Sequence, residues 1–417
     1  MPWRILGKAL GFPDREQELW WLHASPFINN LLAQSNYHLN DQYYYLSFIY
    51  KSILPALGPF PRPGLQPSHL SVFSPEGHTL EPSLNFKSTR SSVRLGFEAI
   101  GAFAGTEHDP LNSFRAHDLL GKIAQTHPNV NLQWFNYFHS QLGLPVEEAR
   151  TTAQLLPPPM RSTNQLAVDF SGNQTVVMKV YFPVQPKAVA TRTATPTVAF
   201  SAIDNLDADF GTSLSLVKEY LHPESDHQSD DQTKPNSVPP FEALLIGIDC
   251  VSPELSRLKL YIYNTHFCLE NIRAFWTLGG RLTDPATLQG LAIAEKLWEF
   301  LGFSEVELGE ATTEKLPLMI NYEMKQKAAA PKPQLYLPVQ DKCDEAVADG
   351  LTGFFEYLEW EGLAGSYKRD LVENFSCRDL AQTVQVQRWV VFSYTDSAGV
   401  YLTLYYHGAS GEVGSLY

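Results

Sequence analysis

Cations and phenols recur two residues apart in several short apolar runs of this chain. In Arg257-Leu258-Lys259-Leu260-Tyr261-Ile262-Tyr263 the odd positions are Arg, Lys, Tyr and Tyr, and the even ones are aliphatic. Successive side chains of a strand point to opposite faces, so each set shares one face. The same rule puts Lys179 with Tyr181, Gln334 with Tyr336, and Tyr401 with Thr403 and Tyr405. Clustered cations and phenolic hydroxyls suit a polyanion such as a diphosphate, which they hold by charge-assisted hydrogen bonds. Electron-rich ring faces attract a carbocation by about 2 kcal/mol or more per contact when water is excluded. Together they suit ionisation of an allylic diphosphate: fixed charge stabilises the departing group, and a dry site keeps the cation for its intended acceptor.

Such faces also occur in half-exposed sheets, with the polar side in water. In a chain of net charge −14, however, a solvated face should carry Asp and Glu, and the faces quoted carry none. The alternative is an inside-out barrel, with apolar faces packed on helices and polar-aromatic faces lining a lumen. The remaining pattern fits. Helices are predicted over about 16–34, capped by Asp14, and over 41–53. Strands are predicted over 69–73, 79–86, 93–100, 165–169, 176–182, 244–250, 258–263, 316–324, 334–338, 389–394 and 400–406. Further helices are predicted over 113–125, 132–141, 212–221, 285–301, 345–361 and 367–375. Paired strands with helices between the pairs point to an α/β chain with a closed antiparallel barrel inside a layer of helices. The polar stretches 222–240 and 326–333 read as loops, and 1–417 reads as one domain.

Composition narrows the function. The acidic balance argues against nucleic acid or an anionic membrane as partner. No apolar run reaches the length of a membrane span, and the N-terminal residues lack a secretory pattern, so a cytoplasmic protein is expected. Cys250, Cys268, Cys343 and Cys377 are too scattered for a disulfide framework or a zinc site. Asp230-Asp231 and Asp204, Asp207 and Asp209 do not form the DDxxD sequence of magnesium-dependent isoprenoid enzymes, and read as turn or cap acids. There is no HExxH, P-loop or GxSxG element.

Taken in order, a set of landmarks resembles the fungal aromatic (indole) prenyltransferases of the dimethylallyltryptophan synthase family, which have the ABBA barrel fold. The landmarks begin with Trp20-Trp21, Tyr45-Leu46, Leu57-Gly58-Pro59, Leu80 to Asn85, Arg94 to Gly101 and Asp109 to Asn112. They continue with Lys179-Val180-Tyr181, Asp249 to Pro253, Ser256 to Tyr261, Trp276 to Gly280, Gln334-Leu335-Tyr336 and Tyr401 to Tyr405. The resemblance implies that Arg94, Lys179, Arg257 and Lys259 grip the diphosphate, with Gln334 as a further contact. It implies that Tyr181, Tyr261, Tyr336, Tyr401 and Tyr405 shield the allylic cation. Glu81 would accept a hydrogen bond from the acceptor's N–H, in the catalytic role.

Two departures bear on the acceptor. Ser171 stands where tryptophan-specific members carry a Lys, leaving water, diphosphate or Glu81 to take the final proton. Leu244 stands near where members that hold a free amino-acid carboxylate place an Arg. A cyclic dipeptide, decorated indole or phenol is therefore expected over free tryptophan. The implied activity is metal-independent, cofactor-free transfer of a dimethylallyl, geranyl or longer prenyl group to an aromatic acceptor by Friedel–Crafts alkylation, in secondary-metabolite (alkaloid) biosynthesis. O- or N-prenylation on the same scaffold, an inactive ligand-binding barrel, and a homodimer stay open.

Overall fold

The computed structural model describes residues 1–62, 69–74, 77–88, 90–221, 241–303, 317–375 and 378–407. The loop at 222–240 with Asp230-Asp231, the first expected residue of the strand at 316, and Cys377 lie outside these.

Three helices come first: α1 (Pro2–Ala9), α2 (Arg15–Gln34) and α3 (Leu39–Phe48). The chain then alternates strand pairs with helices. β1 (Leu80–Lys87) and β2 (Arg90–Phe97) precede α4 (Phe114–Thr126), α5 (Gln133–Leu142) and α6 (Val146–Leu155). β3 (Gln165–Phe170) and β4 (Val176–Pro183) precede α7 (Gln185–Thr191), α8 (Thr195–Asp204) and α9 (Gly211–Leu221). β5 (Glu242–Asp249) and β6 (Arg257–Asn264) precede α10 (Leu269–Trp276) and α11 (Pro285–Phe300). β7 (Leu318–Lys325) and β8 (Lys332–Pro338) precede α12 (Asp344–Tyr357) and α13 (Glu361–Asn374), and β9 (Gln387–Thr395) and β10 (Gly399–Tyr406) follow.

Among the described residues, the ten strands form one closed barrel in which each strand pairs antiparallel with its sequence neighbour. β1 and β10 complete the ring, with Ser83 opposite Tyr405 and Asn85 opposite Thr403. Closure leaves no strand edge to aggregate.

Local signals explain most elements. The Asp14 carboxylate accepts the Gln17 N–H at 2.8 Å and starts α2. Asp284 does the same for α11, accepting from Thr287 N–H at 3.0 Å with Pro285 in the first turn. The expected helix over 41–53 divides into α3 and a wider π-helical turn at Ile49–Ile53, followed by a tight turn that contains Pro55. Five helices had no sequence prediction: α1, α6, α7, α8 and α10. Each is ten residues or shorter, too short to show a helical period clearly, and α1, α7 and α8 have a Pro in the first turn.

The segment 69–73, expected as a strand, makes only an isolated bridge between Ser71 and Ser74. It serves as a cover instead. The Phe73 carbonyl accepts from Arg388 of β9, and His69 meets the buried Glu98 at 3.0 Å.

The apolar face of each strand packs outward. Leu258, Leu260 and Ile262 of β6 belong to the large core between barrel and helices. A second, separate apolar cluster lies among the inward residues: Leu245, Tyr261, Tyr336, Val391 and Tyr405. Leu260 is 1% exposed. Leu260→Ala is therefore expected to lower stability by about 2–5 kcal/mol, as large-to-small core changes do. A shift of the urea unfolding midpoint would measure it, and an unchanged midpoint would mean that the outward face is not the structural core.

Candidate active site

The lumen face holds one charged residue on each of six consecutive strands, with alternating sign, except that β6 supplies two. Arg94 of β2 faces Asp169 of β3, which is its register partner. The pair is bidentate: Arg94 Nε donates to Asp169 Oδ1 and Nη2 donates to Oδ2 at 3.2 Å. Lys179 of β4 lies 3.3 Å from the same Asp169 Oδ2 and donates to Oδ1 of Asp249, its register partner on β5. Arg257 Nε donates to the other Asp249 oxygen at 2.6 Å, and its Nη1 reaches Glu323 of β7 at 3.1 Å. Lys259 lies 3.3 Å from Glu323 and donates to Gln334 Oε1 of β8 at 2.8 Å. The result is an unbroken arc, Arg94–Asp169–Lys179–Asp249–Arg257–Glu323–Lys259–Gln334.

All four cations and Gln334 expected from the sequence thus stand together. The three carboxylates were not foreseen. The expectation that the polar faces lack acids holds for β4, β6, β8 and β10, but β3, β5 and β7 carry one each.

The tyrosines continue from the arc. Ring centroids of Tyr181 and Tyr261 are 5.8 Å apart at 79°, Tyr261 and Tyr336 are 5.8 Å apart at 66°, and Tyr336 and Tyr405 are 6.3 Å apart. The first two contacts are edge-on, as the ring quadrupoles favour, and the third is tilted by 35°. Arg94 Nη1 donates to the Tyr405 hydroxyl at 3.4 Å and so joins the two groups. Tyr401 stands apart from this cluster, with its ring 5.5 Å from Lys87 Nζ on the side of Asp169. Gly247 is the register partner of Tyr181 on β4 and of Lys259 on β6, and the Tyr261 ring lies against it. A Cβ there would sit 3.0 Å from the Tyr261 ring and 3.1 Å from Tyr181, so a side chain would press the phenols away from the strand by a few tenths of an ångström.

At the far end of the tyrosines, Phe73, Glu81, Gly96, Leu245, Met319 and Trp389 surround a pocket into which Arg94, Tyr181, Tyr261, Tyr336 and Tyr405 also reach. Glu81 is 8% exposed and bonded to Arg388 Nη1 at 2.9 Å. Arg388, Asn321, Trp389 and Met319 escaped the sequence reading. Asn321 bridges the two halves of the site, donating to Gln334 at 3.1 Å and to the Tyr336 hydroxyl at 3.4 Å.

Burial governs the ionisation of these groups. Burial would raise Asp169, but Arg94 and Lys179 overcome it and hold its carboxyl at about 2. Asp249 and Glu323 also fall below the ordinary carboxylate range, their burial outweighed by neighbouring cations. Tyr181, Tyr261, Tyr336 and Tyr405 are pushed upward by burial, and Tyr401 to about 12, so the phenols stay neutral donors. Burial also raises Glu81, with Arg388 pulling it partly back. Lys259 is the link most easily discharged: burial lowers it to about 8, with Glu323 opposing the fall and Arg257, Lys179 and Arg94 adding to it.

A closed antiparallel barrel inside a helical layer, its lumen lined by cations and phenols, defines an ABBA-type aromatic prenyltransferase. The family model described as tryptophan dimethylallyltransferase matches residues 16–370. The indole diterpene prenyltransferase anaPT of Neosartorya fischeri is 41% identical over 100% of this chain and 93% of its own length. The trans-prenyltransferase abpB of Aspergillus terreus is 40% identical over 87% of this chain and 91% of its own. The crystal structure of AnaPT from Neosartorya fischeri superposes with a TM-score of 0.89 over 99% of this chain and 100% of that one, at 40% identity. That of NotF in complex with brevianamide F and DMSPP gives 0.85 over 99% and 100%, at 28% identity. The chain belongs to the tryptophan dimethylallyltransferase family and is a prenyltransferase.

The lowered Lys259 predicts an alkaline limb in the pH profile. kcat/KM for a prenyl diphosphate is expected to fall as pH rises through about 8, where Lys259 loses its proton in the free enzyme. Arg is not deprotonated in this range, so Lys259→Arg should carry the plateau to higher pH. An alkaline limb unmoved in that variant would assign it to another group.

Proposed function

We propose that the chain transfers a dimethylallyl group from its diphosphate to the indole ring of a cyclic dipeptide or decorated indole, without a metal ion. The observation that carries this reading is the direct contact of the cationic arc with the tyrosine cluster inside one lumen, through Arg94 and Tyr405. Arg94, Lys179, Arg257 and Lys259, with Gln334, hold the diphosphate and supply the positive charge that other isoprenoid enzymes draw from magnesium. Tyr181, Tyr261, Tyr336 and Tyr405 surround the prenyl chain, and Tyr401 closes the diphosphate side. The acceptor class is supported by NotF, whose crystal structure holds brevianamide F with DMSPP.

The allylic C–O bond breaks and its electron pair leaves with the diphosphate, whose charge the cations stabilise. The phenol faces stabilise the carbocation and exclude water. The acceptor occupies the pocket beside Trp389, Met319 and Leu245, with its N–H donating to Glu81. That hydrogen bond raises electron density on the ring as it attacks the cation and forms the new C–C bond. Loss of a proton from the attacked carbon, to water, the released diphosphate or Glu81, restores aromaticity. Arg388 keeps Glu81 an acceptor by favouring its charged form. The whole chain, 1–417, acts as one domain, and the free thiols of Cys250, Cys268 and Cys343 fit a reducing compartment such as the cytoplasm.

The test is mass spectrometry after incubation with dimethylallyl or geranyl diphosphate, excess EDTA, and a panel of indoles, cyclic dipeptides and phenols. A product heavier by one prenyl group is expected despite the chelator, and activity that vanishes with EDTA would overturn the metal-independent reading. Glu81→Gln is expected to slow transfer to indoles by about 10²-fold or more, while calorimetry shows donor binding little changed. Loss of donor binding in that variant would instead make Glu81 a structural residue.

A further inference from the structure

We infer that Asp169, Asp249 and Glu323 are resident counter-ions of the diphosphate site, which hold its cations in place and weaken its grip on the diphosphate product. This rests on the reading that Arg94, Lys179, Arg257 and Lys259 bind diphosphate.

Three observations support it. Each carboxylate bridges two cations rather than one: Asp169 joins Arg94 to Lys179, Asp249 joins Lys179 to Arg257, and Glu323 joins Arg257 to Lys259. The arrangement is built into the sheet, because Arg94–Asp169, Lys179–Asp249 and Lys259–Glu323 are all register partners on adjacent strands. The carboxylates also use the donors that a diphosphate requires. Both Asp249 oxygens are engaged, one by Lys179 and one by Arg257.

Four cations against three carboxylates leave the arc one positive charge. Without the acids, like charges would crowd a poorly hydrated lumen, where an unpaired buried charge is strongly unfavourable. With them, an arriving diphosphate competes for hydrogen-bond donors and meets nearby negative charge. That repulsion acts on the donor and on the diphosphate released from it. The donor's prenyl chain gains contacts with the tyrosines that inorganic diphosphate lacks. The carboxylates thereby lower the site's hold on both ligands, and since only the donor keeps its tyrosine contacts, the product is the one left weakly held and ready to leave.

Calorimetry with inorganic diphosphate tests this on the full chain, comparing the unaltered protein with Asp249→Asn and Glu323→Gln. Both variants are expected to bind inorganic diphosphate more tightly, on the order of tenfold. Product inhibition should strengthen in parallel, and thermal stability lost by each variant should be recovered on adding diphosphate. Two variants on different strands keep the test open if one fails to fold. A merely structural role would weaken binding or leave it unchanged, and either result overturns the counter-ion assignment. Absence of diphosphate binding by the unaltered protein, or binding indifferent to Lys179→Gln, would overturn the diphosphate site itself and the inference with it.

Discussion

Four cations set close together inside a protein repel one another and lose most of their hydration, so their positions must be fixed by something of opposite sign. Here that is the alternation of charge around the barrel wall. Cations stand on β2, β4 and β6, acids on β3, β5 and β7, and each acid is shared between two neighbours. Guanidinium and ammonium groups held this way have little freedom left to lose when an anion arrives, which is the condition for electrostatic preorganisation. The geometry of the sheet and that of the site are therefore one problem: moving a strand by one residue would turn its charge out of the lumen.

The barrel meets this demand by keeping stability and chemistry on opposite faces. Outward residues such as Leu258, Leu260 and Ile262 join helices in the main core, whereas the inward cluster of Tyr261, Tyr336 and Tyr405 is separate from it. Polar and charged groups can thus be concentrated inside without weakening the packing that holds the chain together. The segment around Phe73 and the Glu81–Arg388 pair complete the lumen at the acceptor end. There a loop and a buried ion pair between β1 and β9 take over from the arc of shared charges.

The sequence made one half of this pattern legible. Arg257, Lys259, Tyr261 and Tyr336 stand in strands that repeat a polar or aromatic residue at every second position, which identifies a face. Asp169, Asp249 and Glu323 are single acids between apolar neighbours, and two of the pairings they make span 75 and 70 residues, Arg94–Asp169 and Lys179–Asp249. Nothing local indicates such partners, because they exist only through the register of adjacent strands. Arg388 was hidden for the same reason, meeting Glu81 across 307 residues. The barrel and its helical layer were readable because pairing follows sequence order. The short helices α1, α6, α7, α8 and α10 were not, since fewer than three turns offer few positions from which to establish a period.

Closure of the ring by β1 against β10 has a consequence for how the protein is made. Glu81 and Arg94 leave the ribosome early, whereas Tyr405, which Arg94 contacts, is translated more than three hundred residues later. Local hairpins such as β1–β2 can pair during synthesis, but the enclosed, water-poor chamber has no existence until the last strand docks. Contacts so distant in sequence are slow to form, so each chain carries a row of half-solvated charges and an open pair of sheet edges for most of its translation. Enzymatic competence then arrives in a single late event.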